Sequence, residues 1–234
     1  MEKYKIEVAW SGHSNCRKCG IRELVLFADL EEQDFTHIHQ PINDLQYQKG
    51  SLIYAQGEDS GAIFTIRSGV VKLIQYLPNG RHRIVRLLRQ GDVAGLEALF
   101  GQSYEHTSIA LQTVLTCRIP CEVIHRLNRE TPRLLNPLME RWRRSLHRAD
   151  EWLTTLSTGS ARARVARLFL HLLDEGARPT CHLFSREDVG AILGLTTETA
   201  SRVIAELKRG DALTELKTNL FSCNRQRLEE ISFD

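Results

Sequence analysis

Two groups of residues in this chain carry chemistry beyond packing. Glu198, Ser201 and Arg202 lie on one side of a helix-period segment. Its other side is Ala200, Val203, Ile204 and Leu207, spaced i, i+3, i+4, i+7. Arg202 can donate two hydrogen bonds to guanine O6 and N7, and Glu198 can accept from cytosine N4. Ser201 can serve either a base or a phosphate. A merely solvated helix face would more often pair Lys with Glu at i, i+4. The second group is sulfur. Cys16-Arg17-Lys18-Cys19 sets two thiols close together, with Cys117 and Cys121 far downstream. A C-x-x-C pair suits thioredoxin-type chemistry inside a βαβ pattern, and no such pattern surrounds it. Cys181 and Cys223 have no neighbouring partner motif and read as structural. No Ser/His/Asp motif, phosphate-binding glycine loop or paired-carboxylate signature occurs, so catalysis is not expected.

The elements around Arg202 have a recognisable order. Ser185-Arg186-Glu187-Asp188 is a capping box that opens a short helix through Val189, Ile192 and Leu193. Gly194 permits a tight turn, and Thr196 caps a second helix to about Arg209. The run Ala212 to Cys223, with Lys217-Thr218-Asn219 at its middle, reads as a β-hairpin wing. Helix, turn, helix and wing make a helix-turn-helix module for DNA. From Gly159 onward 11 Lys and Arg face 11 Asp and Glu. Affinity must therefore rest on a few well-placed cations rather than on a general field.

Earlier parts of the chain differ in texture. Eight of the 15 glycines fall between Asp44 and Gly101, punctuating short apolar runs such as Ala62–Ile66, Val70–Ile74 and Ile84–Leu88. That texture predicts an antiparallel barrel or sandwich. Ser108 to Ile119 continues it, with Ile109, Leu111, Thr113 and Leu115 expected on one face. After Pro120 the glycines stop until Gly159. Leu135, Leu138, Met139, Trp142, Leu146, Trp152, Leu153 and Leu156 then form a broken helical stripe suited to a partner helix. Thr158-Gly159-Ser160 reads as a hinge. The net charge of +2 announces no global attraction to nucleic acid or membrane. No apolar run is long enough for a membrane span, no secretion signal opens the chain, and six Cys are too few for a disulfide scaffold.

With these motifs in place, the chain resembles the Crp–Fnr family of bacterial transcription regulators over nearly its whole length. Gly50-Ser51-Leu52-Ile53-Tyr54-Ala55-Gln56-Gly57-Glu58 resembles the family's first β-roll turn. Ile66-Arg67-Ser68-Gly69 and Gly91-Asp92-Val93 resemble later ones, and Leu195-Thr196-Thr197-Glu198-Thr199-Ala200-Ser201-Arg202 resembles the recognition-helix signature. The resemblance implies an α+β fold: an N-terminal cyclic-nucleotide-binding-like jelly-roll β-barrel, a long dimerisation helix and a C-terminal winged helix-turn-helix. The expected divisions are 1–30 for an N-terminal extension with the Cys pair, 31–120 for the sensor roll, 121–158 for the dimerisation helix region and 159–234 for the DNA-binding domain. It also implies a cytoplasmic homodimer that binds double-stranded DNA through Thr197, Glu198, Ser201 and Arg202, contacts RNA polymerase and touches no membrane. In the Fnr-like branch a Glu-x-x-Ser-Arg signature reads TTGAT inverted repeats. Thr197 replaces the Val of that branch and the Arg of the cyclic-AMP branch, so the TGA core is the part expected to be kept.

The two branches sense different things. In the cyclic-AMP branch a Gly-Glu pair holds the ribose and a later Arg-Ser or Arg-Thr pair neutralises the phosphate. Here Gly95 is followed by Leu96, Tyr104-Glu105 represents the later pair, and no Lys or Arg occurs between Arg89 and Arg118. A buried phosphate without a cation carries a large desolvation cost, so cyclic AMP in the usual mode is not expected. The Fnr-like branch holds an iron–sulfur cluster on N-terminal cysteines and one before the helix. By that pattern Cys16, Cys19 and Cys117 are candidate ligands. The remaining N-terminal cysteine would fall near Val25 and is absent, leaving His13 or Cys121 as the fourth ligand. A cluster, a thiol–disulfide switch at Cys16/Cys19, zinc and inert cysteines are open readings, with haem on His82 or His106 a further one. Rivals to the regulator itself are a cyclic-nucleotide-binding regulatory module and a thiol redox protein using Cys16 and Cys19. Ala149 stands where the Fnr-like branch has an acidic residue on the dimer helix. Its absence removes a like-charge opposition, so a dimer is expected with or without a cofactor.

Overall fold

The computed structural model describes residues 8–13, 31, 33–34, 38, 40–131, 135–173 and 179–233. Its contacts form two units, residues 1–76 with 85–146, and residues 77–84 with 147–234. The strands of the roll are β1 (Val8–His13), β2 (Asn43–Tyr47), β3 (Leu52–Tyr54), β4 (Ala62–Ser68), β5 (Val71–Tyr76), β6 (His82–Leu88), β7 (Val93–Ala94), β8 (Thr107–Ala110) and β9 (Val114–Pro120). One sheet is ordered β1-β2-β9-β4-β7 and the other β3-β8-β5-β6. Their shared core includes Ile63, Ile66, Val71, Leu73, Val114 and Ile119, all buried. The strand β1 lies within the stretch expected as an N-terminal extension. It pairs antiparallel with β2, Gly12 opposite Asp44.

The expectation that Ile109, Leu111, Thr113 and Leu115 share one face is corrected. β8 pairs with β3 and β5 in one sheet, whereas β9 pairs with β2 and β4 in the other. Ile109 and Leu111 are buried while Thr113 and Leu115 are exposed. Switching sheets between Leu111 and Val114 breaks the period of two, so the four residues do not share a face.

The helical region is likewise two helices. α1 (Cys121–Glu130) sends Val123, Ile124 and Leu127 into the core of the roll. α2 (Leu135–Leu156) follows. Between them the sequence holds Pro132, which has no N–H to continue a helix. The apolar stripe of α2 also divides. Leu156 is buried, and Leu138 and Trp152 are half-buried against their own chain. Met139, Trp142, Leu146 and Leu153 are exposed, at 60%, 42%, 61% and 62%. The first set lies roughly one residue, or about 100°, around the helix from the second.

In the second unit, α3 (Ala161–Leu172), β10 (Thr180–His182), α4 (Arg186–Leu193), α5 (Thr197–Arg209), β11 (Leu213–Lys217), β12 (Leu220–Cys223) and α6 (Arg225–Ser232) follow in order. The wing is three-stranded, β10-β12-β11, because β10 adds to the outer side of β12. Phe169 of α3 meets Phe221 of β12 edge to face at 5.4 Å in the core. Among the described residues no helix is long and apolar enough to cross a membrane.

The turn read as a hinge is tied down. Ser160 Oγ caps α3 by accepting from Ala163 N–H at 3.1 Å. Arg167 donates through Nη1 to Thr155 O at 3.0 Å and Thr158 O at 2.8 Å, and through Nε to Ser232 O at 2.8 Å. One planar guanidinium thus holds the end of α2, the turn and the end of α6. Arg167→Ala is expected to destabilise the protein by about 2 kcal/mol, since charged hydrogen bonds to partly buried carbonyls are lost. Arg167→Lys should recover little of it, because an ammonium cannot present the planar fork. Chemical denaturation of the three proteins checks this.

Candidate nucleic-acid interface and sensor core

The DNA-reading candidates are built on α5. Thr196 Oγ1 accepts from Thr199 N–H at 3.2 Å and caps the helix. Ala200, Val203, Ile204 and Leu207 are buried, as their spacing predicts. Thr197, Glu198, Ser201 and Arg202 are therefore turned outward, and all four are exposed. Glu198 accepts from its own backbone N–H and from Thr196, which holds its carboxyl below the usual range. It is an acceptor only at neutral pH, as a contact to cytosine N4 requires. Ahead of it, Ser185 caps α4, accepting from Asp188 N–H at 3.0 Å, and Gly194 takes the left-handed conformation at the α4–α5 turn.

The wing is tied to both helices. Lys208 of α5 donates to Glu215 of β11 at 2.6 Å. Arg186 of α4 lies over the Phe221 ring and donates to Asn219 Oδ1 at 3.4 Å. Lys217 and Thr218 stay exposed at the tip, where Asn219 has positive φ. Reading motifs along the chain missed Arg186, whose partners come from the distant hairpin.

In the roll, the position expected to hold a phosphate-binding arginine is Tyr104. Its ring stacks on Tyr54 at 3.9 Å, and its hydroxyl donates to Ala62 O at 2.7 Å. Burial pushes the phenol up to about 12. Gly95 is part of this fit, because a Cβ there would sit 2.8 Å from the Tyr104 ring. Glu97, the residue nearest in role to a ribose acceptor, instead accepts from Glu105 N–H at 3.1 Å. A cation does approach from β6, ahead of the interval between Arg89 and Arg118 that holds no Lys or Arg. Arg86 donates to Ser145 Oγ of α2 at 2.7 Å, so its guanidinium is already engaged. Burial, and then Arg86, hold His106 below the ordinary imidazole value. His82, the other haem candidate, begins β6.

Of the candidate metal ligands, Cys16 and Cys19 lie outside the described residues, and His13 ends β1. Cys117 is buried in β9, opposite Asp44 of β2 on one side and Thr65 of β4 on the other. Its thiol donates to Asp44 Oδ1 at 3.3 Å, and Arg67 forms an ion pair with Asp44. Cys121 starts α1, and burial pushes its thiol up, so it is protonated at neutral pH. Among the described residues no group of three or more His, Cys, Asp or Glu is gathered to hold a metal ion. Cys181 and Cys223 are buried in the second unit.

Comparison with known proteins agrees with this geometry. The cyclic nucleotide-binding domain family matches residues 44–130, and the Crp-like helix-turn-helix domain family matches residues 163–231. Regulatory protein HlyX of Actinobacillus pleuropneumoniae is 28% identical over 208 residues, 86% of each chain. The fumarate and nitrate reduction regulatory protein of Vibrio cholerae is 26% identical over 225 residues, covering 93% of this chain and 90% of that one. The solved structure of FixK2 from Bradyrhizobium japonicum is 26% identical with a TM-score of 0.73, covering 81% of this chain and 96% of that one.

The Tyr104 packing makes a direct forecast. Tyr104→Ala is expected to cost roughly 3–5 kcal/mol, as for other buried aromatics cut to Ala. Tyr104→Phe keeps the stack and should cost only about 1 kcal/mol for the lost hydrogen bond. Denaturant titration separates them, and equal losses for the two variants would contradict the packing role.

Proposed function

We infer that this chain, which belongs to the Crp–Fnr family of transcription regulators and stands with its Fnr-like members, binds an inverted-repeat operator as a homodimer and answers a signal other than cyclic AMP. That it is a DNA-binding regulator rather than an enzyme follows the relatives just described. The observation carrying the operator reading is the exposed face of α5, held rigid by a cap at Thr196 and a buried apolar face. Arg202 is assigned to guanine, Glu198 to cytosine, Ser201 to a base or phosphate, and Thr197 to the phosphate edge near the helix N-terminus. Lys217 at the wing tip adds a backbone contact. Work on DNA at a promoter implies a cytoplasmic protein that meets RNA polymerase.

The homodimer reading rests on α2. Met139, Trp142, Leu146, Ala149 and Leu153 alternate steps of three and four, the spacing of a two-helix seam. The other side of the helix is spent on its own chain: Arg141 donates to Gly91 O at 2.6 Å, and Ser145 accepts from Arg86. An exposed apolar face of this kind marks an interface. Ala149 is half-buried on that line and puts no charge into it. The two DNA-reading helices must reach one face of a duplex about one turn apart, which calls for parallel packing of the two α2 helices.

Tyr104 supports a signal other than cyclic AMP, since its ring and hydroxyl use the place where a phosphate would need a cation. A second reading, an iron–sulfur cluster on Cys16, Cys19 and Cys117, draws support from the sheet register. Gly12 of β1 and Cys117 of β9 flank Asp44, so they stand about 10 Å apart, two strand spacings. Cys16 comes three residues after His13, a length that reaches about 10 Å. Cys117 would release Asp44 to become a ligand, and Arg67 would balance that carboxylate. Such a cluster supplies one-electron redox chemistry and reactivity with oxygen. The fourth ligand would be His13 or Cys121.

Two measurements test these readings. In a gel shift with a TTGAT-type inverted repeat, Arg202→Ala should lose roughly 1–3 kcal/mol and discriminate less at the guanine. Unchanged binding to cognate and guanine-substituted sites would refute the assignment of Arg202. For the cluster, anaerobically purified protein should be brown and bleach in air, and Cys16→Ser or Cys117→Ser should abolish the colour. Colourless parent protein that binds DNA normally would eliminate it, and stoichiometric zinc in that protein would point to a structural metal instead.

A further inference from the structure

We propose that Phe100 is a contact to the second copy of this chain, so that the segment running to Tyr104 touches both subunits. The proposal rests on the dimer reading of α2 and names a further element of the same interface. Phe100 ends a short 3-10 helix, Leu96–Phe100, whose Ala98 is buried and whose Leu99 packs on the core of the roll. Gly101 closes the helix in the left-handed conformation, its N–H bonded to Ala98 O at 3.1 Å. That closure fixes Phe100 on the outside, where it is 64% exposed.

Its described ring contact joins it to the outer face of α2. The Phe100 ring meets Trp142 edge to face, at 5.2 Å and 80°. Phe100, Met139, Trp142 and Leu146 thus make one apolar patch spanning the 3-10 helix and the outer face of α2. A helix packs on its neighbour at an axial separation of about 8–10 Å and is itself about 10 Å across. A partner helix seated on Trp142 therefore lies against Phe100 as well. Two-fold symmetry supplies such a helix from a second copy, and the three-four spacing of the seam fits that partner. Polar residues border the patch, with Glu140 paired to Arg143 at 2.8 Å and Arg144 at 2.9 Å, as expected at an interface rim.

The contact would give the roll a direct hold on the dimer. Phe100 and Tyr104 belong to one stretch, closed by Glu97 on Glu105 N–H and by Tyr104 on Ala62 O. A rearrangement that moved Tyr104 would move Phe100 at the interface.

The test is sedimentation equilibrium of the full-length protein with three variants. Leu146→Asp should be monomeric at micromolar concentration. Phe100→Ser should remain folded and raise the dimer dissociation constant at least tenfold. Adding Phe100→Ser to Leu146→Asp should lower the melting temperature of that monomer only slightly, through the lost Phe100–Trp142 ring contact, so that the effect on dimerisation exceeds the effect on the fold. If Leu146→Asp dissociates while Phe100→Ser stays within twofold of the parent, the Phe100 contact is wrong and the dimer reading survives. If Leu146→Asp remains dimeric, the α2 interface fails and this inference with it. If Phe100→Ser dimerises normally but loses transcription with purified RNA polymerase, the patch belongs to the polymerase and the proposal is overturned.

Discussion

One helix has to satisfy two surfaces at once, and much of the molecule follows from how α2 does so. Its inner side combines apolar Leu138 and Leu156 with directed polar contacts: Arg141 reaches Gly91 O, and Ser145 receives Arg86 from β6. Its outer side is apolar and exposed at Met139, Trp142, Leu146 and Leu153. Hydrogen bonds need fixed geometry, so these polar contacts set the rotation of the helix about its own axis. The apolar side, whose attraction depends on area and hardly on direction, is then presented where that rotation puts it. Without those hydrogen bonds the inner side would be held by apolar contacts alone, and the helix could rotate between alternative packings.

The core of the roll shows the same preference for directed contacts. A phosphate site would need a cation in a low-dielectric interior, and the desolvation cost would be recovered only when the ligand arrived. Tyr104 avoids this with a neutral ring and a single satisfied hydroxyl. Its ring stacks on Tyr54, and the missing side chain at Gly95 leaves room for it. A domain that matches the cyclic nucleotide-binding domain family thus carries an aromatic stack at this position. Elsewhere in the same roll, Cys117 of β9 and Gly12 of β1 flank Asp44 of β2.

The DNA-binding unit works with little charge to spare. Because its Lys and Arg are matched by Asp and Glu, orientation matters more than net attraction. The caps at Ser185 and Thr196, the Lys208–Glu215 pair and the Arg186 stack on Phe221 all fix where the outer face of α5 points. Arg167 extends that rigidity back to the end of α2.

Local rules sufficed wherever the controlling interaction was local. The caps at Ser185 and Thr196, the turn at Gly194, the two faces of α5 and the β11–β12 hairpin could be read from neighbours a few residues apart, because helix caps and helical periodicity act over that range. The glycine-punctuated strands of the roll were legible for the same reason. The sequence could not reveal that Ser108 to Ile119 changes sheets, since a strand's partners are set by distant residues and its own alternation does not name them. Nor could it show that β10 joins the wing, or that Leu138 and Leu156 turn inward while Met139 and Leu146 turn outward. Arg86, Arg167 and Arg186 stayed hidden because a long guanidinium side chain meets carbonyls, hydroxyls and rings that only the folded chain brings within reach. Tyr104 was visible as a missing arginine. Only the tertiary structure, by laying Tyr54, Ala62 and Gly95 around it, decided what stands in that arginine's place.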